Sequence, residues 1–170
     1  MKSALTDTTW SRVGWALAAV ATFGLLGAAL LPPIVGPAVG VVLMDAFRHL
    51  CHQIPDRSFA VDGTPFAVCH RCTAIYLGLV AGVLVFPAVR VASVWWARHD
   101  RWILLAAVLP ATLDWGGDVL GVWSNTVGTR VGTGLWLGLV VGVVFARSVS
   151  LRRSRGKDPS RRTREAVGVG

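Results

Sequence analysis

Apolar residues run along this chain in four long blocks separated by short polar stretches. Val13 to Leu31 carries no charge, and at 1.5 Å per helical residue a run of about 20 crosses a hydrocarbon core about 30 Å thick. Pro32 and Pro33 end it, because neither ring can donate the next backbone hydrogen bond. Thr73 to Val89, Trp102 to Val122 and Thr129 to Phe145 repeat the pattern. Ile34 to Met44 is apolar but too short to span, and Gly36, Pro37 and Gly40 interrupt it; this predicts a short re-entrant or interfacial helix. The fold class expected is an all-α membrane protein: a four-helix transmembrane domain over 1–148 with a polar loop at 45–72, and a disordered tail over 149–170.

Small residues refine the packing. Gly78 and Gly82 in the second span, and Gly134, Gly138 and Gly142 in the fourth, recur every four residues and predict close helix faces. Pro110, Gly116, Gly117 and Gly121 loosen the third span.

Composition agrees with a membrane setting: 54% hydrophobic residues and a mean hydropathy of +0.58 exceed what a soluble domain carries. The net charge of +8 would suit nucleic acid, but eight basic residues lie between Arg147 and Arg164 in a tail with no apolar core. A cytoplasmic, lipid-facing tail is the better reading, and nucleic acid is not an expected partner. The amino terminus lacks a basic run followed by an apolar segment and a small-residue cleavage site, so the first span is expected to be retained. Thirteen Lys and Arg fall on one side of the predicted spans, and Arg48, Arg57, Arg71 and Arg130 fall on the other. The positive-inside rule then predicts a multi-pass plasma-membrane protein with both termini cytoplasmic. Arg90 to Arg101, with Trp95, Trp96 and Trp102, reads as a basic cytoplasmic loop at the interface. Residues 45–72 face outward, and Ser124, Asn125 and Arg130 emerge on the same side.

Chemistry concentrates between His49 and Tyr76, which holds all three cysteines and three of the four histidines. Cys69 and Cys72 form a Cys-x-x-Cys pair, a spacing that serves both zinc and dithiol chemistry. Cys72 opens the second span, where the helix dipole and Arg71 favour a thiolate, which helps a metal ligand and a redox nucleophile alike. Adding Cys51 and His52 completes a Cys3His zinc set, with His49 and His70 as substitute ligands. Three readings stay open: a zinc site, thiol redox chemistry at Cys69 and Cys72 without a cofactor, and inert buried cysteines.

Asp114 and Asp118 lie one turn apart inside the third span, where a carboxylate is costly unless paired or wetted. Arg130 is the expected partner, with Asn125 adding a hydrogen bond. Asp114, Asp118 and Arg130 are therefore candidates both for a structural ion pair and for a catalytic, proton-relay or substrate-binding role. Trp115, Trp123 and Trp136 read as interface anchors or packing.

The strings Cys-His-Gln-Ile-Pro-Asp-Arg-Ser-Phe and Val-Cys-His-Arg-Cys-Thr-Ala-Ile-Tyr-Leu-Gly resemble a family of small polytopic membrane proteins of unknown function, over roughly residues 40 to 145. The resemblance implies that Cys51, His52, Gln53, Pro55, Arg57, Ser58, Phe59, Cys69, Arg71, Cys72, Tyr76, Asp114, Asn125 and Arg130 stand at motif positions. Gln53, Arg57, Arg71, Tyr76, Ser124 and Asn125 are expected to form a polar pocket beside the cysteines. Ala is usual in that pattern where His70 stands, and Gly where Ala74 and Trp115 stand, which argues against His70 as an essential ligand. The family brings no activity. Open functions are a metal-holding membrane protein, structural or acting on a lipid or headgroup; a membrane thiol oxidoreductase similar in outline to vitamin K epoxide reductase; and a small oligomeric transporter.

Overall fold

The structure, a computed structural model, describes residues 8–89 and 93–153. Among them, four helices are long and apolar enough to cross a membrane, as an all-α membrane protein requires. These are α1 (Arg12–Leu30), α3 (His70–Val89), α4 (Ser93–Val119) and α5 (Val127–Ser150). The short helix expected ahead of the loop is α2 (Pro37–Arg48), with Pro37 in its first turn. Ser11 caps α1 by accepting the Gly14 N–H at 3.1 Å, and the helix stops just before Leu31 and the two prolines. Thr126 and Thr129 cap α5 reciprocally, each hydroxyl accepting the other's backbone N–H, at 3.0 and 3.2 Å.

Three expectations need correction. The segment read as a basic loop from Arg90 to Arg101 is helical from Ser93, because α4 starts well ahead of its apolar run; Arg90 itself lies outside the described residues. The third span ends at Val119 and not Val122, and Gly121 carries the turn with φ 69°. The tail does not begin disordered at 149. Helix α5 continues to Ser150, and β4 (Leu151–Arg153) pairs antiparallel with β1 (Thr8–Trp10). Beside it the Ser11 N–H donates to the Ser150 carbonyl at 2.8 Å. The rest of the predicted tail, 154–170, lies outside the described residues, as does Lys2.

Helices α3 and α5 run parallel and form the most extensive contact in the molecule. A Cβ on Gly78 or Gly82 would run into the carbonyl oxygens of Leu135 and Leu139, and one on Gly138 or Gly142 into those of Ile75 and Leu79. The two glycine faces read from the sequence are thus the two sides of one interface. Helix α1 covers this pair, burying Ala18 against Val83, Phe86, Val143 and Ala146, with Trp15 Nε1 donating to the Val83 carbonyl at 2.8 Å. Helix α4 has α5 as its principal neighbour. Large apolar side chains such as Val13, Leu17 and Val20 on α1 and Leu105, Leu109 and Leu113 on α4 remain exposed, as lipid-facing surface does.

The loop itself is not all helix. It holds a hairpin, β2 (Ser58–Val61) and β3 (Thr64–Cys69), closed by Asp62 and Gly63 at φ 48° and 78°. Two consecutive positive φ angles are what a two-residue hairpin turn demands.

Candidate metal centre

The loop is built to bring distant cysteines together. Helix α2 ends with the Leu50 and Cys51 N–H groups bonded to the Phe47 carbonyl, which turns Cys51 into the core at 6% exposure. Gln53 then adopts φ 50°, and its Nε2 donates to the Met44 carbonyl at 2.7 Å and to the Ala67 carbonyl at 2.8 Å. One amide therefore fastens the end of α2 to β3. The chain passes a 3-10 turn at Pro55–Arg57, runs out and back through the hairpin, and enters α3 at His70 directly after Cys69. Cys72 thereby falls in the first helical turn.

As a result the sulfurs of Cys51, Cys69 and Cys72 lie within 4.8 Å of one another, all three as free thiols. They rest on a buried apolar bed of Ala29, Phe47, Ala67 and Val68. The Cys69 N–H donates to Cys51 Sγ at 3.3 Å. Hydrogen bonds from the Cys51 thiol first, and from Cys72 next, hold the Cys69 thiol far below its ordinary range, against the opposing effect of burial. The environment thus favours a thiolate at Cys69, the form that binds soft metals and attacks disulfides.

The donor set fits a metal. A tetrahedral zinc with Zn–S bonds of about 2.3 Å places its sulfurs about 3.8 Å apart, which the 4.8 Å limit of this cluster accommodates. Among the described residues, the histidines do not join the group. His52 is exposed, since its neighbour Cys51 points inward and successive side chains here diverge. His49 is exposed at the end of α2. His70 is buried on another face of α3, its ring 4.3 Å from that of Phe59 and its Nδ1 without a partner.

The membrane carboxylates do reach this end of the bundle, but with partners other than the one expected. Asp114 pairs with Arg71, not Arg130. Asp118 pairs with Arg57 at 3.4 Å. Both arginines belong to the cysteine loop and its exit into α3, so the ion pairs tie that loop to α4. Arg130 lies on α5, beyond the α4–α5 turn, and its Nε instead donates to Asn125 Oδ1 at 2.6 Å. The Asn125 N–H in turn donates to Asp118 Oδ1 at 3.2 Å. Arg57 and Arg71 carried no pairing signal in the sequence, because both are far from α4 in the chain.

A cavity of about 400 Å³ opens beside the sulfurs, and all three cysteines line it. His52, Gln53, Arg57, Arg71, Asn125 and Arg130 supply its polar wall, and Leu50, Ile54 and Trp115 its apolar wall. Asp114 and Asp118 stand behind their arginines and do not line it. Two residues put forward for the pocket are elsewhere: Tyr76 packs below the sulfurs with its ring 6.2 Å from that of Phe47, and Ser124 is exposed in the turn. Leu50 and Ile54 were not legible as lining, since isolated apolar residues in a loop carry no distinguishing pattern.

Known proteins resemble the chain over part of its length. It is 29% identical over 103 residues to an uncharacterized protein of Methanocaldococcus jannaschii, covering 61% of this chain and 65% of that protein. It is 32% identical over 98 residues to an uncharacterized protein of Methanothermobacter thermautotrophicus, covering 58% of this chain and 86% of that protein. No solved structure matches the chain. The profile of the family described as predicted membrane protein (DUF2085) matches residues 51–144, from the first cysteine of the cluster into α5, and the chain belongs to that family.

Proposed function

We propose that this chain is a multi-pass plasma-membrane protein in which Cys51, Cys69 and Cys72 hold a zinc ion beside the Arg-rich cavity. The termini lie in the cytoplasm and the cysteine loop outside. The observation that carries the reading is the convergence of three sulfurs from opposite ends of the loop to within 4.8 Å. Such convergence assembles the donor atoms of a soft-metal ligand set. Three protein ligands leave one coordination position for water or substrate, the arrangement of catalytic and not of closed structural zinc sites. Zinc so held would supply a Lewis acid and an activated water. This chain's own residues supply the rest: His52 on the cavity wall can serve as a proton carrier, and the arginines orient an anionic group. A lipid or headgroup at the outer leaflet is the substrate class that this position reaches. Elemental analysis of the purified protein should find about one zinc per chain, lost on Cys69→Ser.

A second reading has its own support. The stabilised Cys69 thiolate beside two thiols is also how a dithiol oxidoreductase would begin attack on a disulfide. Protein free of metal whose Cys69 and Cys72 cycle between thiol and disulfide would replace the zinc reading with this one.

A further inference from the structure

The cavity beside the sulfurs holds donors that no described residue uses. Arg57 and Arg71 face Asp118 and Asp114, whereas Arg130 faces no carboxylate among the described residues and meets only the neutral oxygen of Asn125. A guanidinium carries five N–H donors, and that bond occupies one of them. Arg71 adds positive charge on the same wall, although its Nε is fully buried and its Nη2 pairs with Asp114. Both residues line the cavity.

The rim has the opposite character. Leu50, Ile54 and Trp115 line the same cavity and remain 66%, 43% and 57% exposed. An apolar rim above half-buried cationic donors fits a molecule with an anionic end and an apolar body. The cavity also lies where α3 and α5 begin and α4 ends, the depth at which a bilayer changes from hydrocarbon to headgroup. The anion abundant at that depth is phosphate, and Arg presents a fork that phosphate oxygens accept with charge assistance.

We propose that this cavity binds a phosphate-bearing ligand, its phosphate on Arg130 and its apolar portion over Leu50, Ile54 and Trp115. The inference rests on the reading of the cavity as the working face of the sulfur cluster. The shared chemistry is a phosphate oxyanion, supplied either by a lipid headgroup or by a soluble phosphate.

The test uses the full chain purified from mixed phosphatidylglycerol and phosphatidylcholine bilayers. Retained lipid is counted by native mass spectrometry, inorganic phosphate is titrated by calorimetry, and zinc is measured in the same sample. Wild type should retain about one phosphatidylglycerol, and Arg130→Gln should retain it about tenfold less. Ile54→Glu places a like charge at the exposed rim without touching the Asn125 bond, so it should weaken retention as well even if Arg130→Gln folds poorly. Arg101→Gln, at the other end of α4, should change nothing. Binding of inorganic phosphate with no retained lipid assigns the soluble source and keeps the proposal. Absence of both, equal retention in wild type, Arg130→Gln and Ile54→Glu, or an equal loss in Arg101→Gln overturns it. Zinc present without phosphate binding sinks this inference alone, and phosphate binding without zinc sinks the metal reading alone.

Discussion

Replacing Arg71 should be the most damaging single change among the polar residues of the site, and Arg71→Gln tests the reasoning about membrane-buried charge. The Asp114 side chain is 8% exposed and that of Arg71 18%. At hydrogen-bond contact, about 3 Å, and an effective dielectric near 20, their attraction is about 5 kcal/mol. Desolvating the two ions consumes most of that, so the intact pair contributes little net stability, but the lone carboxylate left by Arg71→Gln keeps its full desolvation cost. The expected loss is about 3–5 kcal/mol, and Arg71→Met combined with Asp114→Leu should lose much less than the sum of the single changes. The Arg57–Asp118 pair provides an internal comparison. Arg57 is 46% exposed there, so Arg57→Gln should cost about 1 kcal/mol or less. Arg130→Gln also leaves Asp114 paired and should cost less than Arg71→Gln. Unfolding in mixed micelles with increasing dodecyl sulfate, followed by tryptophan fluorescence, ranks these variants together with the single changes Arg71→Met and Asp114→Leu. If Arg71→Gln is no worse than Arg57→Gln, or if the double variant loses the sum of its parts, the account of Asp114 is refuted.

Other expectations follow from single contacts. Gln53→Ala removes both donors to the Met44 and Ala67 carbonyls; it should cost about 2 kcal/mol in thermal unfolding and weaken zinc retention, since Cys51 loses its tie to β3. Gly138→Leu should yield no folded protein in detergent, because its side chain would enter the Ile75 backbone, while Gly132→Leu, with open space around it, should fold normally. Reporters inserted at Gly63 and fused at the carboxyl terminus should report the outside and the cytoplasm respectively; the reverse pattern would overturn the orientation.

Hydropathy made the four spans and the short α2 legible, because apolar length in a membrane is set by bilayer thickness and not by tertiary detail. The glycine spacing disclosed both faces of the α3–α5 contact for the same local reason. The Asp62-Gly63 hairpin was present as a turn signal between two β-prone strings, but the short strands fell below what an all-α expectation would admit. Pairing was the least legible feature. Arg130, near the outer end of the following span, is the basic residue that the predicted topology sets level with Asp114 and Asp118, and depth in the membrane favoured it. Arg71 and Arg57 win because the loop folds over the end of α4 and supplies guanidinium groups directly above the carboxylates. His52 was placed beside Cys51 by motif spacing. Backbone direction then separates the two, sending sulfur inward and imidazole to the cavity wall.

The cluster joins parts of the molecule that are anchored to very different degrees. Cys69 and Cys72 belong to β3 and the first turn of α3, which is locked against α5 through interdigitated glycines and carbonyls. Cys51 belongs to the end of α2, held chiefly by the buried Phe47 ring and by the Gln53 amide. A bond that joins Cys51 to the other two sulfurs, whether through zinc or as a disulfide, therefore ties a loosely held helix to the rigid pair across the seventeen residues between Cys51 and Cys69. Closing a loop of that length restricts the unfolded chain by about 3 kcal/mol, comparable with the two Gln53 hydrogen bonds that hold the same junction. Helix α4 is drawn to the loop by the Arg57 and Arg71 pairs in parallel. The cavity wall is thus assembled from the loop after α2 and from α3, α4 and α5 by polar links at this end of the bundle, and the state of the three sulfurs sets how firmly that loop, and α2 with it, is held there.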